Sequence, residues 1–339
     1  MSTKQSSQDK DNKEDVSFDA ALRPQHWEEY VGQERIKKNL RILIDAAKKR
    51  EEPLEHVLIS GPAGLGKTSL AHLIAREMHS SIRISSGPAI ERVGDLASIL
   101  TNLLPRDILF IDEAHRLNKV VEEVLYPAME SRTLDIIIGK GPSARIIQIE
   151  LPPFTLIAAT TRIGLLSGPL RSRFGGTFRL DFYAEAEIEK IMARSAKLLN
   201  VKIEPAALER LARSSRSTPR TANRLLKRAR DYAQVHGDGT VTDSSAQKVL
   251  GLLEIDGQGL EPMDRRILEL IITGFHGGPV GLQTIAAASS EDEGTIEEVY
   301  EPYLMRVGLI ERTPRGRVAT EAAYKHLGLS FSKQKPLLT

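Results

Sequence analysis

Two stretches of the chain place chemically capable side chains in an order that phosphate chemistry requires. Gly61-Pro62-Ala63-Gly64-Leu65-Gly66-Lys67-Thr68 fits the pattern G-x-x-x-x-G-K-[ST], with an apolar run before it and a helical pattern after it. Glycines let the backbone N–H groups turn inward around phosphate, and a helix N-terminus adds positive potential. Lys67 would neutralise β and γ oxygens, and the Thr68 hydroxyl would ligate Mg²⁺. Gly61, Gly64, Leu65, Gly66, Lys67, Thr68 and Ser69 are therefore the expected cradle for ATP. A merely tight turn beside a surface lysine is the plain alternative, but it would leave so many glycines without a purpose.

Forty-four residues after Thr68, the apolar run Ile108-Leu109-Phe110-Ile111 ends in Asp112 and Glu113. Asp112 is placed to hold a magnesium shell, and Glu113 to orient and polarise an attacking water. The same pair would also serve as a helix N-cap; the phosphate loop upstream favours catalysis. Thr155–Thr160 is a further apolar run, followed by Thr161 and Arg162. Thr161 is the candidate for holding the lytic water or sensing the γ-phosphate, although a Thr at a strand end also serves packing. Arginines 173, in Pro169–Gly175, and 220, in Thr218-Pro219-Arg220, complete the set. An arginine supplied in trans offsets charge on the γ oxygens, which makes Arg173 the candidate finger; taken alone, either arginine reads equally as a solvated surface charge.

The elements that must position these residues are legible as patterns. His56–Ser60, Ile82–Ser85, Ile108–Ile111 and Thr155–Ala159 read as buried strands, separated by helical patterns such as Thr68–Met78 and Val120–Met129. Strands alternating with helices predict an α/β fold, a doubly wound parallel sheet. The runs Thr133–Ile138 and Arg145–Leu151, joined by Gly139-Lys140-Gly141-Pro142, predict a β-hairpin inserted at 133–151. Its consecutive isoleucines, Ile136, Ile137 and Ile138, read either as core or as an exposed partner-docking surface. After Asp181 the strand signal fades into four amphipathic helices, Ala184–Leu199, Glu204–Arg213, Thr221–Gln234 and Thr242–Leu252. A glycine-containing linker, Asp256–Gly259, leads to helical patterns at Glu261–Ile272, Leu282–Ser289 and Thr295–Met305. Two apolar runs then flank Thr313-Pro314-Arg315-Gly316, and together these predict a winged helix.

Composition frames this reading. With 339 residues, 41% hydrophobic and 27% charged, the chain is too long for one compact core and too apolar for wholesale disorder. The absence of cysteine excludes disulfides, thiolate nucleophiles and cysteine-ligated zinc, and makes a cytoplasmic location the default. No run approaches the ~20 apolar residues that cross a bilayer, so no membrane partner is expected. A net charge of only +2 means that any nucleic-acid surface must be local. The expected divisions are a polar, disordered tail at 1–17, an ATPase domain at 18–182, a small helical lid at 183–255 and a winged-helix DNA-binding domain at 256–339.

These residues resemble an AAA+ ATPase core: the phosphate loop, the apolar-Asp-Glu strand, the strand-tip Thr, Arg171-Ser172-Arg173-Phe174, and Pro219-Arg220 opening a lid helix. Together with Leu22-Arg23-Pro24, the Leu134–Leu151 hairpin, Leu151-Pro152-Pro153-Phe154, Ala159-Thr160-Thr161-Arg162 and Thr313–Arg317, they are similar to the RuvB family of Holliday-junction branch-migration motors over residues ~18 to 330. The resemblance implies phosphate and Mg²⁺ binding by Lys67 and Thr68, the Walker B role for Asp112 and Glu113, and a first sensor at Thr161. It implies a second sensor at Arg220, and a finger at Arg173 that acts on a neighbouring subunit of a homohexamer. It places adenine near Leu22, Arg23 and Tyr183. It further implies docking of the hairpin, Ile136–Ile138, on RuvA, action beside RuvC, and duplex DNA of four-way junctions on Arg312, Arg315 and Arg317 of the wing, through phosphate contacts. The string Asp112-Glu113-Ala114-His115 matches the box of another helicase superfamily, but those enzymes need a second RecA-like domain, whereas a lid and a winged helix follow here. Rival readings are a clamp loader or replication initiator, and a winged-helix regulator in which ATP switches conformation without turnover.

Overall fold

A computed structural model describes residues 20–138 and 145–331; the expected tail at 1–17, the hairpin turn at 139–142 and the side chains of Ile136, Ile137 and Ile138 lie outside the described residues. The chain divides into two compact units, Met1–Phe182 and Tyr183–Thr339.

In the first unit, helix α1 (Glu34–Arg50) buries Ile36, Leu40, Ile44 and Ala47, a stripe at helical spacing. It precedes β1 (Val57–Ser60), α2 (Lys67–Glu77), β2 (Ile82–Ser86), α3 (Val93–Thr101), β3 (Ile108–Asp112) and α4 (Lys119–Glu130). The hairpin β4 (Thr133–Ile138) and β5 (Arg145–Glu150) follows, then β6 (Thr155–Thr160), the short α5 (Gly168–Ser172) and β7 (Gly176–Arg179). Five strands form one parallel sheet in the order β2-β3-β6-β1-β7. The inner strands β1 and β6 are buried along their whole length, as a strand covered on both faces must be. On one face Leu58, Leu109, Ile111, Leu156 and Ala158 pack with Leu96 and Leu100 of α3 and Val121 and Leu125 of α4.

Two expectations need correction. The Ile82–Ser85 run does form a strand, but at the sheet edge, where Ile84 is 56% exposed; an apolar run does not distinguish an edge from a centre. Strand β7 went unpredicted because Gly-Thr-Phe-Arg carries no apolar run; it is held by its pairing with β1. The expected hairpin strands do pair, antiparallel, with Thr133 opposite Glu150 through Ile138 opposite Arg145.

The second unit opens with α6 (Glu185–Leu198), β8 (Lys202–Ile203), α7 (Pro205–Arg213), α8 (Pro219–His236), β9 (Thr240–Val241) and α9 (Asp243–Leu252). Helix α8 starts two residues earlier than its apolar pattern because Pro219 sits at N1, where its missing N–H costs nothing, and the Thr218 hydroxyl accepts from the Thr221 N–H. Next come α10 (Pro262–Glu269), α11 (Leu282–Ser289), α12 (Glu293–Thr295), α13 (Glu301–Arg306), the antiparallel pair β10 (Ile310–Thr313) and β11 (Gly316–Ala319), and α14 (Glu321–His326). This is a winged helix with its own core, centred on Ile267, Leu268, Ile271, Ile285, Leu304 and Leu309. The expected helix over Thr295–Met305 is present as a continuous helical run, 293–306, whose middle, Ile296–Tyr300, widens to π-helix just before Pro302, which cannot donate to the preceding ladder.

The expected linker is not a loose one. The Asp256 carboxylate accepts from the N–H groups of Gln258 and Leu260, both at 2.9 Å, and its other oxygen pairs with His326 at 2.8 Å. Gly259 has φ +76° and lies so close to the Ser214 carbonyl that any Cβ there would clash.

His56, before β1, shows how tightly the first unit is tied. Its Nδ1 accepts from the Leu156 N–H at 2.8 Å, so Nε2 carries the proton and donates to the Met129 carbonyl at 3.1 Å. Burial, ahead of any charge nearby, lowers its pKa below the usual 6.5. The folded state therefore binds fewer protons than the unfolded chain, and His56 contributes stability that is present above 6.5 and is lost as pH falls below it. The melting temperature of the chain should drop on acidification from pH 7 towards 5, and a His56→Gln variant should show a shallower drop in the same scan.

Candidate functional site

The site is built at the carboxyl edge of the sheet. Because the strands are parallel, β1, β3 and β6 all deliver their C-terminal residues to that edge: Ser60 stands opposite Thr160, and Ser86 opposite Asp112. The loop after β1 turns through Gly61, Gly64 and Gly66 at φ +138°, +81° and +92°, values that disfavour a side chain. At Gly61 a Cβ would run into the Leu180 carbonyl as well. Leu65 is fully buried and so anchors the loop.

Lys67 is buried and folds its ammonium back on the loop, donating to the carbonyls of Gly61 at 2.7 Å and Pro62 at 2.8 Å. Thr68 Oγ1 donates to Asp112 Oδ2 at 3.3 Å, which aligns a hydroxyl and a carboxylate from different elements. The other carboxylate oxygen of Asp112 accepts from the Glu113 N–H at 2.9 Å. Glu113 adopts the left-handed conformation, φ +48°, an unusual state for a residue with a Cβ, and pairs with Arg116 at 3.1 Å. Strain of this kind at a strand tip is common where a side chain is being aimed.

Two residues that sequence reasoning passed over complete the edge. The Thr160 hydroxyl is fully buried; it bonds to His115 Nδ1 at 3.1 Å and accepts from the Arg162 N–H at 3.0 Å. It thereby ties the tip of β6 to the turn after β3. His115 carried a signal, the Asp-Glu-Ala-His string, but its role here is to lock two strand tips together. Thr161, the candidate sensor, follows directly and is half-buried.

Leu22 is buried, and Arg23 donates to His72 Nε2 of α2 at 2.8 Å. The expected adenine-side residues of this unit are therefore tied to the phosphate-loop helix itself. Burial, and then the charges of Arg23 and Arg76, keep His72 below its usual pKa, so it is a neutral acceptor. Arg173 donates to Glu130 at 3.0 Å and to the Pro169 carbonyl at 2.8 Å, and lies 4.8 Å over the Tyr126 ring. Tyr183 and Arg220 belong to the second unit. Tyr183 is buried with its N–H on the Ser217 carbonyl, and Arg220 is exposed in the first turn of α8.

The donor set fits a magnesium nucleotide. Among the described residues no cluster of three or more His, Cys, Asp or Glu could cage a metal, whereas Thr68 and Asp112 offer the one or two hard oxygens that Mg²⁺ takes from a protein when phosphates supply others. The glycine cradle supplies N–H donors, and Lys67 a cation that can exchange carbonyls for phosphate oxygens.

The wing holds its three arginines unequally. Arg312 and Arg317 stand directly opposite each other, a pairing that would repel. Buried Glu301 resolves it: Oε1 accepts from Arg312 at 2.9 Å, and both its oxygens accept from Arg317 at 3.1 and 3.0 Å. Burial would raise the Glu301 pKa, but the hydrogen bonds from the two arginines outweigh it and hold it below its usual value. Arg317 is largely covered, Arg312 half exposed, and Arg315 exposed at the turn.

A parallel sheet with a phosphate loop, an acidic strand tip, a helical segment and a winged helix defines an AAA+ P-loop ATPase with a winged-helix module. Residues 22–180 match the Holliday junction DNA helicase RuvB P-loop domain, 183–256 the RuvB AAA lid domain, and 257–328 the RuvB C-terminal winged helix domain. This chain belongs to the RuvB family. It is 58% identical over 322 residues to the Holliday junction branch migration complex subunit RuvB of Dehalococcoides mccartyi (strain CBDB1), covering 95% of this chain and 92% of that one. The Thermotoga maritima RuvB Holliday junction branch migration motor is similar in structure, with 49% identity, a TM-score of 0.85, and coverage of 92% of this chain and 100% of that one. A mutant of the same Thermotoga protein gives a TM-score of 0.86 at 49% identity, covering 92% and 99%. No described helix is long and apolar enough to cross a membrane.

Replacing Lys67 with Ala should abolish nucleotide binding, read with a fluorescent ATP analogue. A Glu113→Gln variant should still bind the analogue but release phosphate about 10²–10⁴ times more slowly. Parental turnover in Glu113→Gln would remove Glu113 from the role of base.

Proposed function

We propose that this chain is the ATP-driven subunit of a Holliday-junction branch-migration complex. The observation that carries the reading is the sheet edge, where the glycine loop bearing Lys67 meets the β3 tip through the Thr68–Asp112 bond, with Glu113 next in the chain, in a protein that also bears a wing with an exposed arginine.

The β- and γ-phosphates lie against the N–H groups of the 61–68 loop, with Lys67 turned from the Gly61 and Pro62 carbonyls to the phosphate oxygens. Thr68 and Asp112 would hold Mg²⁺, which would supply positive charge to offset that on the phosphate oxygens. Glu113 accepts a proton from water as the water oxygen attacks the γ-phosphorus; the bond to the bridging oxygen breaks, and ADP and phosphate leave. Thr161 is the sensor at the strand tip, with Thr160 and His115 fixing its approach. Leu22, Arg23 and Tyr183 take the adenine side, and Arg220 acts as the second sensor.

The assembly is a homohexameric ring in which Arg173 serves the neighbouring subunit's nucleotide. The Glu130 carboxylate and the Tyr126 face keep its guanidinium extended until it meets the neighbour's phosphate. RuvA docks on the 133–151 hairpin through Ile136, Ile137 and Ile138, RuvC acts on the same junction, and the complex is cytoplasmic. On the wing, Arg315 and the outer face of Arg312 contact duplex phosphates, while Arg317 holds the wing to Glu301. Contacts of that kind carry no base information, which suits a motor that must travel over any sequence.

Arg173→Ala homo-oligomers should hydrolyse ATP about 10³-fold or more slowly, and mixing them with Lys67→Ala subunits should restore part of the activity. No recovery on mixing would rule out a finger acting in trans. Arg315→Ala should weaken duplex binding alike on unrelated sequences and lower the slope of log affinity against log salt by about 0.9. Weakening confined to one sequence would overturn the phosphate-contact reading.

A further inference from the structure

The loop before α8, residues 214–218, holds a concentration of buried bonds that nucleotide chemistry does not require. Arg216 and Ser217 are consecutive non-glycine residues in the left-handed region, φ +56° and +55°. Both Arg216 and its partner Asp264 are buried. Arg216 Nη1 donates to Asp264 Oδ2, and Nη2 to the Val299 carbonyl at 2.9 Å. The guanidinium lies 4.7 Å over the Tyr303 ring. These three partners come from α10, the π-helical stretch after α12, and α13. One side chain of the helical segment therefore holds two helical runs of the winged helix, α10 and residues 293–306, at once.

The same short loop faces two other ways. Ser217 accepts the Tyr183 N–H on its carbonyl at 3.1 Å, and Thr218 caps the helix whose first turn carries Arg220. Four residues after Arg220, Arg224 of α8 reaches Glu261, the residue just before α10, at 2.5 Å. Asp264 in turn accepts from the Glu261 N–H at 2.8 Å, which closes the first turn of α10 on the Arg216 pair. Ser214 is the residue against which Gly259 packs without room for a Cβ. A buried ion pair is a costly device for stability alone, since apolar residues of similar volume commonly do as well. Its directional bonds fix one arrangement, and here the arrangement fixed is that of α8 against the winged helix.

We propose that Arg216 is a positioning residue that couples the first turn of α8 to the winged helix, so that a nucleotide-driven displacement of Arg220 moves the DNA-contacting wing in step. The proposal rests on the motor reading above, in which Arg220 senses nucleotide and the wing meets duplex. Without the grip of Arg216, α8 turns against the winged helix, and hydrolysis continues with less movement of DNA.

The test uses the full chain with its junction substrate, in the parent, in Arg216→Met, and in a double variant of Arg216→Met with Asp264→Leu. The double variant leaves no uncompensated buried charge and is expected to stay folded. Two quantities are read: base pairs of branch migration per ATP hydrolysed, and the distance distribution between spin labels at Val235 and Ala322, both exposed and outside the DNA-contacting set. Both variants should lose about fivefold or more in base pairs per ATP, with a broadened distance distribution, and Arg216→Lys should recover part of each. A structural role alone would lower the melting temperature and leave base pairs per ATP of the folded fraction at the parental value. A folded double variant with parental coupling and a parental distance distribution would overturn the proposal. If the parent itself moved no branch point, the motor reading would fall, and the distance measurement would still decide whether Arg216 fixes the two elements.

Discussion

The buried ammonium of Lys67 is the constraint around which the nucleotide edge is arranged. A charge withdrawn from water must find oxygen, and in this chain it finds the carbonyls of its own loop. That demand shapes the loop: the backbone passes through positive φ at Gly61, Gly64 and Gly66, and the carbonyls of Gly61 and Pro62 come back to the ammonium. The same geometry prepares the exchange of carbonyl oxygens for phosphate oxygens. A parallel sheet is the scaffold that makes this economical, because each strand delivers its last residue to one edge.

The arginines show how little residue type alone says about role. Arg173, Arg216, Arg312 and Arg317 are each engaged by carboxylates, and two of those carboxylates, Asp264 and Glu301, are buried. Arg317 has the look of a wing cation in the sequence, yet its donors face Glu301, where they relieve a repulsive cross-strand pair. Arg216, which no sequence motif singles out, is the most enclosed of the set. What separates them is whether the fold brings a buried acid within reach, since a buried carboxylate needs a guanidinium as much as the guanidinium needs it.

The second unit places strain where control would be useful. Two adjacent left-handed residues, a cap, a buried ion pair and a glycine without room for a Cβ all fall within or against residues 214–218. Strained backbone persists only where surrounding contacts over-determine it. Here those contacts reach Tyr183 on one side and the winged helix on the other.

The amino-acid sequence by itself determined the phosphate loop, the acidic strand tip, the alternation that makes a parallel sheet, and the helical and winged-helix segments, because each is written in local spacing that short-range sterics and hydrophobic periodicity enforce. Tertiary structure alone decided the rest. Strand β7 owes its existence to pairing with β1, the edge position of β2 to strand order, and the bond of Thr160 to His115 to two strand tips meeting across 45 residues. The grip of Arg216 on Asp264 spans 48 residues and leaves no periodic trace, since a contact between residues far apart in the chain depends on which surfaces the packed elements bring face to face, and no local preference encodes that.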